Sequence, residues 1–199
     1  MALESCSELA RRIVRDLADA GHLAYWVGGC VRDQLLGLTP KDYDVATSAP
    51  PEVALQLFPG STLVGESFGV VLVPGGVEVA TFRSEMNYHD GRRPSHVQYE
   101  TDPSLDAARR DFTINALYYD PLKDEVIDFT GGRNDIANRL VRAIGDPHER
   151  FAEDHLRLLR SVRFAARFDY RIEAVTLDAL IAMAPQIRRI APERLHDEM

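Results

Sequence analysis

The sequence predicts an α+β fold in which a region with a mixed or antiparallel sheet comes first and an all-helical region follows. Short runs of β-forming residues alternate with amphipathic runs up to Gly145, whereas apolar residues recur at helical spacing from Asp146 onward. The chain has 199 residues, of which 45% are hydrophobic, which is enough for one or two small cores. We therefore predict two domains, residues 1–145 and residues 146–199.

The first region is predicted to begin with an amphipathic helix over residues 5–20, because Leu9, Ile13 and Leu17 lie at helical spacing and Gly21 follows. The next segments alternate between strands and short helices. In order they are AYWV (strand), VRDQLLG (helical turn), YDVAT (strand), PPEVALQLF (helix), and VVLV with VEVATF (a hairpin around PGG).

Residues 84–103 are polar and contain glycine and two prolines, which predicts a long functional loop. A helix over 104–120, a strand at EVIDF and a helix opened by the glycines of GGRNDIANRL are expected after it. The second region is predicted to contain helices over 149–168 and 173–184 and a further helix start at Pro192. The chain ends inside this last helix without a cap signal, so we expect a C-terminal part to follow.

Charge and hydropathy narrow the classes of function. The formal net charge is -8, yet residues 133–199 hold 12 of the 23 basic side chains, so nucleic acid could still bind this arginine-rich part. No stretch approaches the roughly 20 apolar residues of a membrane span, and no secretion signal opens the chain. These features predict a cytoplasmic protein without a membrane partner.

Two aspartates in the segment KDYDVAT are the first candidates for catalysis. On a strand, Asp42 and Asp44 would share one face while Tyr43 and Val45 point to the other. Neighbouring carboxylates repel each other unless a cation such as Mg²⁺ lies between them, so the pair predicts a metal site. Alternatively, both side chains are solvated charges on an edge strand.

A glycine pair precedes these aspartates. Backbone amides at Gly28 and Gly29, together with the nearby Arg32, could bind a triphosphate. Two metal ions held by carboxylates are a recurring device for nucleotidyl transfer. Glu78, between apolar residues of a predicted neighbouring strand, is a candidate third carboxylate, unless it is an ordinary solvent-facing residue.

Three motifs together resemble the family of class II tRNA nucleotidyltransferases and bacterial poly(A) polymerases. These are GGCVRDQLLGLTPKDYD, RRDFTINAL and EDHLRLLRSVRF, which occur in family order between Tyr25 and about Asp197. The resemblance implies a polymerase-β-type nucleotidyltransferase head followed by a helical neck. It also implies two Mg²⁺ ions, the substrates CTP and ATP, and RNA, in particular the tRNA 3′ end, as partner.

The resemblance assigns the base-selecting role to the EDHLR segment. Asp154 and Arg157, three residues apart on a predicted helix, would share a face and offer an acceptor beside a donor. Cytosine and adenine both present an amino donor next to a ring-nitrogen acceptor, so this pair would accept either base without a nucleic-acid template. Arg160 is carried over as a further contact, while Arg163 and Arg167 would face the head or the product RNA.

The RRDFTINAL motif is associated in the family with the ribose and the triphosphate. By this resemblance Arg110 would neutralise phosphate, Asp111 would accept from a sugar hydroxyl, and Asn115 would complete the motif. Without the resemblance, a buried cap and core helix would explain these residues equally well. A hinge is implied at Asp128, Gly131, Gly132 and Asp135, and a flexible loop is implied at Arg92 and Arg93.

The sequence thus predicts a template-independent RNA nucleotidyltransferase that adds CMP, AMP or both to the tRNA 3′ end. A poly(A) polymerase is the close alternative, since it needs the same metals and the same base contacts. A regulatory module that binds CTP or ATP without transferring it is an alternative from another class. A metal nuclease ranks last, because it would not need Asp154 and Arg157.

Overall fold

A computed structural model of the chain describes residues 5–64, 69–88 and 94–198. The helices are α1 (Cys6–Asp19), α2 (Gly29–Leu35), α3 (Pro51–Leu57), α4 (Pro103–Ala108), α5 (Gly132–Ala137), α6 (Pro147–Glu153), α7 (Leu156–Phe168), α8 (Ala174–Met183) and α9 (Pro192–Glu198). The strands are β1 (Ala24–Val27), β2 (Asp44–Thr47), β3 (Thr62–Val64), β4 (Val70–Val73), β5 (Val77–Thr81), β6 (Arg83–Tyr88), β7 (Pro94–Tyr99), β8 (Leu117–Asp120), β9 (Glu125–Asp128), β10 (Leu140–Val141) and β11 (Arg171–Ile172). Short 3₁₀ helices lie at Thr113–Asn115 and Ala184–Arg189.

Helix α1 shows how local sequence signals fix an element. Ser5 and Glu8 form a reciprocal capping box, in which the Ser5 hydroxyl accepts from the Glu8 amide and the Glu8 carboxylate accepts from the Ser5 amide. The predicted apolar stripe of this helix is buried against the sheet, where Ile13 and Leu17 are fully inaccessible. The prediction for this element is confirmed.

The main sheet has seven strands in the order β3-β4-β5-β2-β1-β8-β9. All neighbouring strands in it are antiparallel except β2 and β5, which are parallel. The predicted mixed sheet is therefore confirmed, as are the hairpin at β4 and β5 and the proline-started α3. Strand β3, at the edge of the sheet, was not predicted.

The predicted loop over 84–103 is wrong in its described part. Strands β6 and β7 pair as an antiparallel ribbon in which Met86 lies opposite His96 and Arg83 opposite Tyr99. A ladder needs only backbone groups, so a polar ribbon gives no apolar alternation for a sequence pattern to detect. Arg92 and Arg93, assigned to a flexible loop, lie outside the described residues.

The predicted continuous helix over 104–120 is also wrong. Helix α4 ends at Ala108, and β8 begins at Leu117. Between them, the Asp111 carboxylate accepts from the Phe112 amide, and Phe112 forms an isolated bridge with Ala143. Local side-chain acceptors of this kind compete with helical hydrogen bonds, so the helix propensity of the segment was overridden.

The C-terminal helices pack against the head through a shared core. Phe112 from the head contacts Phe164 from α7 in an edge-to-face arrangement, and Phe151 and Leu158 belong to the same cluster. The parallel pair of β10 and β11 joins the two regions through the backbone. The boundary at residues 145 and 146 stays a prediction.

None of the helices in the described residues is both long and apolar enough to cross a membrane.

One glycine is required by a close backbone approach. A Cβ on Gly132 would overlap the Thr113 carbonyl oxygen, which is held in place because it accepts from the Ala116 amide. We expect Gly132→Ala to lower the free energy of unfolding by about 3 kcal/mol, as overpacking of a tight site does. Urea unfolding would measure it.

Gly145→Ala is the matched control for this substitution. Gly145 has a φ of 72°, but a Cβ added there would lie in open space. Only backbone strain of about 1 kcal/mol is therefore expected. Equal losses for the two variants would contradict the close packing of α5 on Thr113.

Candidate active site

The parallel pairing of β2 with β5 brings Asp44 and Glu78 together. They are directly paired residues in this register, so their side chains leave the same face of the sheet. Both are exposed, whereas their chain neighbours Val45 and Val79 are buried. The sequence prediction that Glu78 alternates with buried residues beside the aspartates is confirmed.

Asp42 lies outside the strand on which it was predicted, because β2 begins only at Asp44. Nevertheless, exposure alternates through the segment: Asp42 is exposed, Tyr43 is buried and Asp44 is exposed. The two aspartates therefore share the solvent side, as expected from the spacing.

The pKa of Asp44 reflects burial first and the charges of the neighbouring carboxylates second. Although part of its side chain is exposed, partial desolvation raises the pKa of Asp44 to about 6, and the charges of Glu78 and Asp42 act in the same direction. The Arg110 guanidinium opposes this rise in pKa. A divalent cation would relieve the same repulsion, so the donor chemistry fits Mg²⁺.

Within residues 5–64, 69–88 and 94–198, no three His, Cys, Asp or Glu side chains converge closely enough to hold a metal ion. Asp42 and Asp44 as metal ligands, with Glu78 as the third carboxylate, therefore stay predictions.

The Gly28 turn lies beside this carboxylate face. Gly28 has a φ of 77° and donates its amide to the Leu117 carbonyl, which turns the chain from β1 into α2. A Cβ at this position would come 3.6 Å from Nη1 of Arg110. The turn therefore packs against the RRDFTINAL motif, as expected if both segments line one nucleotide site.

A cavity of about 180 Å³ opens at the start of α2. It is lined by Gly29, Cys30, Arg32, Asp33, Lys41, Asp42, Asp44 and Arg167. Basic and acidic groups thus share one small volume. Burial raises the pKa of the Cys30 thiol to about 11, so this cysteine is not a reactive thiolate at neutral pH.

Arg32 is buried rather than extended into solvent, and its contact with phosphate stays a prediction. It is 4% exposed, and it donates to the carboxylate of Asp33 at 2.8 and 2.7 Å and to Oδ1 of Asn115 at 2.5 Å. Its guanidinium also lies over the rings of Phe168 and Phe164 from α7, at 4.7 and 5.4 Å from their centroids. Arg32 therefore clamps α2 to the helical region.

Arg32 is one end of a polar chain that crosses between the two regions. Asn115 accepts from Arg32 and donates at 3.5 Å to Oδ1 of Asp111, whose Oδ2 lies 3.0 Å from Nη1 of Arg160 on α7. Four of the residues predicted to bind nucleotide are thus joined to one another.

Asp111 keeps an acceptor free within this chain. It is 7% exposed, and its Oδ2, although ion-paired, accepts no well-aligned hydrogen bond from any residue in the described part of the chain. Burial would raise the pKa of Asp111, but the positive charges of Arg160 and Arg157 lower it below its ordinary value. The group is an anion at neutral pH.

Asp154 and Arg157 do not share the continuous helix that the sequence predicted. The chain is extended at Asp154, which separates α6 from α7 and accepts from the Leu156 amide. This local bond ends one helix and starts the next, which explains the break. Arg194 from α9 pairs with both oxygens of Asp154, at 3.2 and 2.9 Å.

Arg157 is directed to other partners. Its Nη1 donates to the Glu153 carboxylate at 2.5 Å and to the Arg150 carbonyl at 3.0 Å. The predicted acceptor and donor therefore lie close in the chain but contact Arg194 and Glu153 instead of each other. Arg160 and Arg163 both face Glu198, at 3.7 and 2.7 Å.

Sequence reasoning missed several residues at this site. Lys41 lines the cavity beside Asp42, and its position next to the D-x-D pair was an available signal. Asp33 lies 3.7 Å from Arg167, and Arg194 and Glu198 come from the last helix. These contacts depend on the folding back of α9, which no local pattern reveals.

Comparison with known proteins places this arrangement in a family. Residues 24–142 match the family described as "Poly A polymerase head domain". The chain belongs to this poly(A) polymerase head-domain family. Residues 169–199 match a second description, "Probable RNA and SrmB- binding site of polymerase A".

Curated relatives of this poly(A) polymerase head-domain chain are named CCA-adding enzymes. One from Enterococcus faecalis is 44% identical over 189 residues, covering 94% of this chain and 46% of the relative. Another, from Limosilactobacillus reuteri, is 42% identical over 202 residues, covering 99% of this chain and 49% of the relative. The chain spans about half the length of the curated relatives it matches.

Solved structures confirm the α+β head followed by a helical neck. The Bacillus stearothermophilus CCA-adding enzyme in complex with CTP matches with a TM-score of 0.88 and 36% identity, over 99% of this chain and 48% of the other. The Thermotoga maritima CCA-adding enzyme complexed with tRNA matches with a TM-score of 0.75 and 30% identity, over 96% of this chain and 45% of the other.

The buried clamp at Arg32 generates a stability prediction. Arg32→Lys keeps a positive charge but loses the planar fork and the stacking on Phe168, so we expect the free energy of unfolding to fall by about 3 kcal/mol. Chemical denaturation followed by circular dichroism would measure it.

Arg163→Lys serves as the control, because Arg163 stacks on the Phe164 ring but is 37% exposed. Its loss should stay below about 1 kcal/mol. A smaller loss for Arg32→Lys than for Arg163→Lys would contradict the clamp.

Proposed function

We propose that this chain carries the catalytic part of a tRNA nucleotidyltransferase, which adds CMP and AMP from CTP and ATP to the tRNA 3′ end and releases pyrophosphate. The observation that carries the proposal is the register of Asp44 with Glu78 beside the Gly28 turn and Arg110. A carboxylate pair next to a cationic, glycine-lined turn matches the requirements of nucleotidyl transfer. The relatives named CCA-adding enzymes, with structures described as bound to CTP and to tRNA, support the substrate class.

Asp42 and Asp44 would hold Mg²⁺, with Glu78 as a further carboxylate. Two such ions, when bound, lower the pKa of the RNA 3′-hydroxyl and neutralise the phosphates. The 3′-oxygen attacks the α-phosphorus in line with the departing pyrophosphate. Arg110, beside the Gly28 turn, would stabilise the charge that develops on the leaving phosphates.

Sugar and base would be bound along the polar chain that leads to the neck. Oδ2 of Asp111, which is ion-paired with Arg160 but accepts no well-aligned hydrogen bond from the described residues, suits a ribose hydroxyl. Asp154 and Arg157 would pair with the Watson-Crick edge of cytosine or adenine after exchanging their present contacts with Arg194 and Glu153 for the base. After this exchange each group would keep a hydrogen-bond partner, because the base offers an amino donor to Asp154 and a ring-nitrogen acceptor to Arg157.

A poly(A) polymerase is a second candidate, because the matched family description names that enzyme. Incubation with tRNA that lacks its 3′ end, given CTP alone, ATP alone and then both, separates the two activities by product length. A CCA-adding enzyme stops after completing the end, whereas a poly(A) polymerase extends a tail with ATP alone. Binding of CTP without pyrophosphate release would instead favour a regulatory nucleotide-binding module.

Substitution of the candidate metal ligands tests the chemistry directly. We expect Asp42→Asn and Asp44→Asn each to reduce CMP incorporation by at least about a hundredfold, because each would remove a carboxylate ligand of the candidate Mg²⁺ site. The raised pKa of Asp44 means that its ionised form, which predominates at neutral pH, is less stable in the folded chain than in the unfolded chain, so Asp44→Asn should not lower the free energy of unfolding.

Asp19→Asn, at an exposed site where α1 ends, is the matched control and should leave incorporation unchanged. Radiolabelled CTP with the truncated tRNA gives the rate, and thermal unfolding gives the stability. Normal turnover in either Asp42→Asn or Asp44→Asn would refute the assignment.

A further inference from the structure

A buried carboxylate outside the assigned site lies behind Arg110. Asp106, from α4, is 1% exposed, and its Oδ2 accepts from Nη2 of Arg110 at 3.0 Å and from the Tyr118 hydroxyl at 2.5 Å. Its Oδ1 accepts from Nε of Arg109 at 2.8 Å. Neither Asp106 nor Tyr118 is among the candidate catalytic or nucleotide-binding residues.

Asp106 is a permanent anion at neutral pH. Burial alone would raise the pKa of Asp106, but the Arg110 and Arg109 guanidiniums and the hydrogen bond from Tyr118 bring it well below its ordinary value. A buried carboxylate with this many donors is a fixed point from which a neighbouring cation can be oriented.

The contacts of Arg110 divide its guanidinium into a held side and an open side. Nε and Nη2 point to Asp106, with Nε also 3.3 Å from the Tyr118 hydroxyl. Nη1 has no partner among the described residues. It lies 3.6 Å from the position that a Cβ added to Gly28 would occupy. The open side therefore faces the glycine turn.

We propose that Asp106 and Tyr118 are positioning residues that hold the Arg110 guanidinium so that its Nη1 binds a β- or γ-phosphate of the incoming nucleotide at the Gly28 turn. This inference rests on the proposed function. A free arginine side chain would lose rotamer entropy on binding phosphate, whereas an arginine already fixed by Asp106 has lost it in folding.

Nucleotide binding by the full chain tests the proposal. We expect Tyr118→Phe to weaken CTP binding about threefold to tenfold and Asp106→Asn to weaken it at least about tenfold. CMP, which lacks the β- and γ-phosphates, should bind these variants within about twofold of the unsubstituted chain. Isothermal titration calorimetry would give the dissociation constants. Equal weakening for CTP and CMP would overturn the proposal.

A double-mutant cycle distinguishes positioning from a purely structural role. If Asp106 acts through Arg110, then Asp106→Asn combined with Arg110→Ala should bind CTP no more weakly than Arg110→Ala alone. Asp135→Asn is the matched control, because Asp135 is also 1% exposed and bonds a different arginine, Arg142. Its effect should add to that of Arg110→Ala, and additivity for Asp106→Asn as well would overturn the proposal.

A readout without nucleotide separates this inference from the proposed function. If the unsubstituted chain binds no CTP, the proposed function fails, but the Nε proton of Arg110 still reports on positioning by nuclear magnetic resonance. It should exchange slowly with water in the unsubstituted chain and faster in Tyr118→Phe, which keeps the aromatic ring but removes one of the two acceptors of this proton. Rapid exchange in the unsubstituted chain would overturn the positioning role.

Discussion

The parallel pairing of β2 with β5 is the constraint on which the site depends. Among the described strands it is the only parallel contact of the main sheet, and it sets Asp44 directly beside Glu78 on the solvent face. A shift of one residue in this register would turn Glu78 into the core and bring a valine to the surface. The buried residues Val45 and Val79 therefore fix the geometry of the carboxylates as much as the carboxylates do themselves.

Ion pairs between buried groups surround these two carboxylates. Each buried ionic group near the site has an oppositely charged partner: Arg32 has Asp33, Arg110 has Asp106, and Arg160 has Asp111. Removal of a single member would strand its partner in a medium of low dielectric constant. Because the links run from α2 through Asn115 and Asp111 to α7, the start of α2 and the helical region are parts of one network.

The sequence predicted the elements whose signals are local. Alternation around the D-x-D pair, the proline at the start of α3 and the helical stripe of α1 all have short-range physical causes, and each was located correctly. Prediction failed where a tertiary contact determines the local backbone structure. At Phe112, a bridge to Ala143 replaces the predicted helix. Arg32 was assigned to phosphate because it lies near the glycine pair, whereas only the fold shows that its guanidinium stacks on Phe164 and Phe168.

The apolar cluster that joins the head to the helices also has a consequence for how the molecule denatures. Phe112 and Ile114 are completely inaccessible and belong to one cluster with Phe151 from α6 and Leu158 from α7. Detachment of the helices would expose these side chains to water, at a cost of about 2 kcal/mol for each large one. The two regions should therefore melt in a single cooperative transition rather than as independent units.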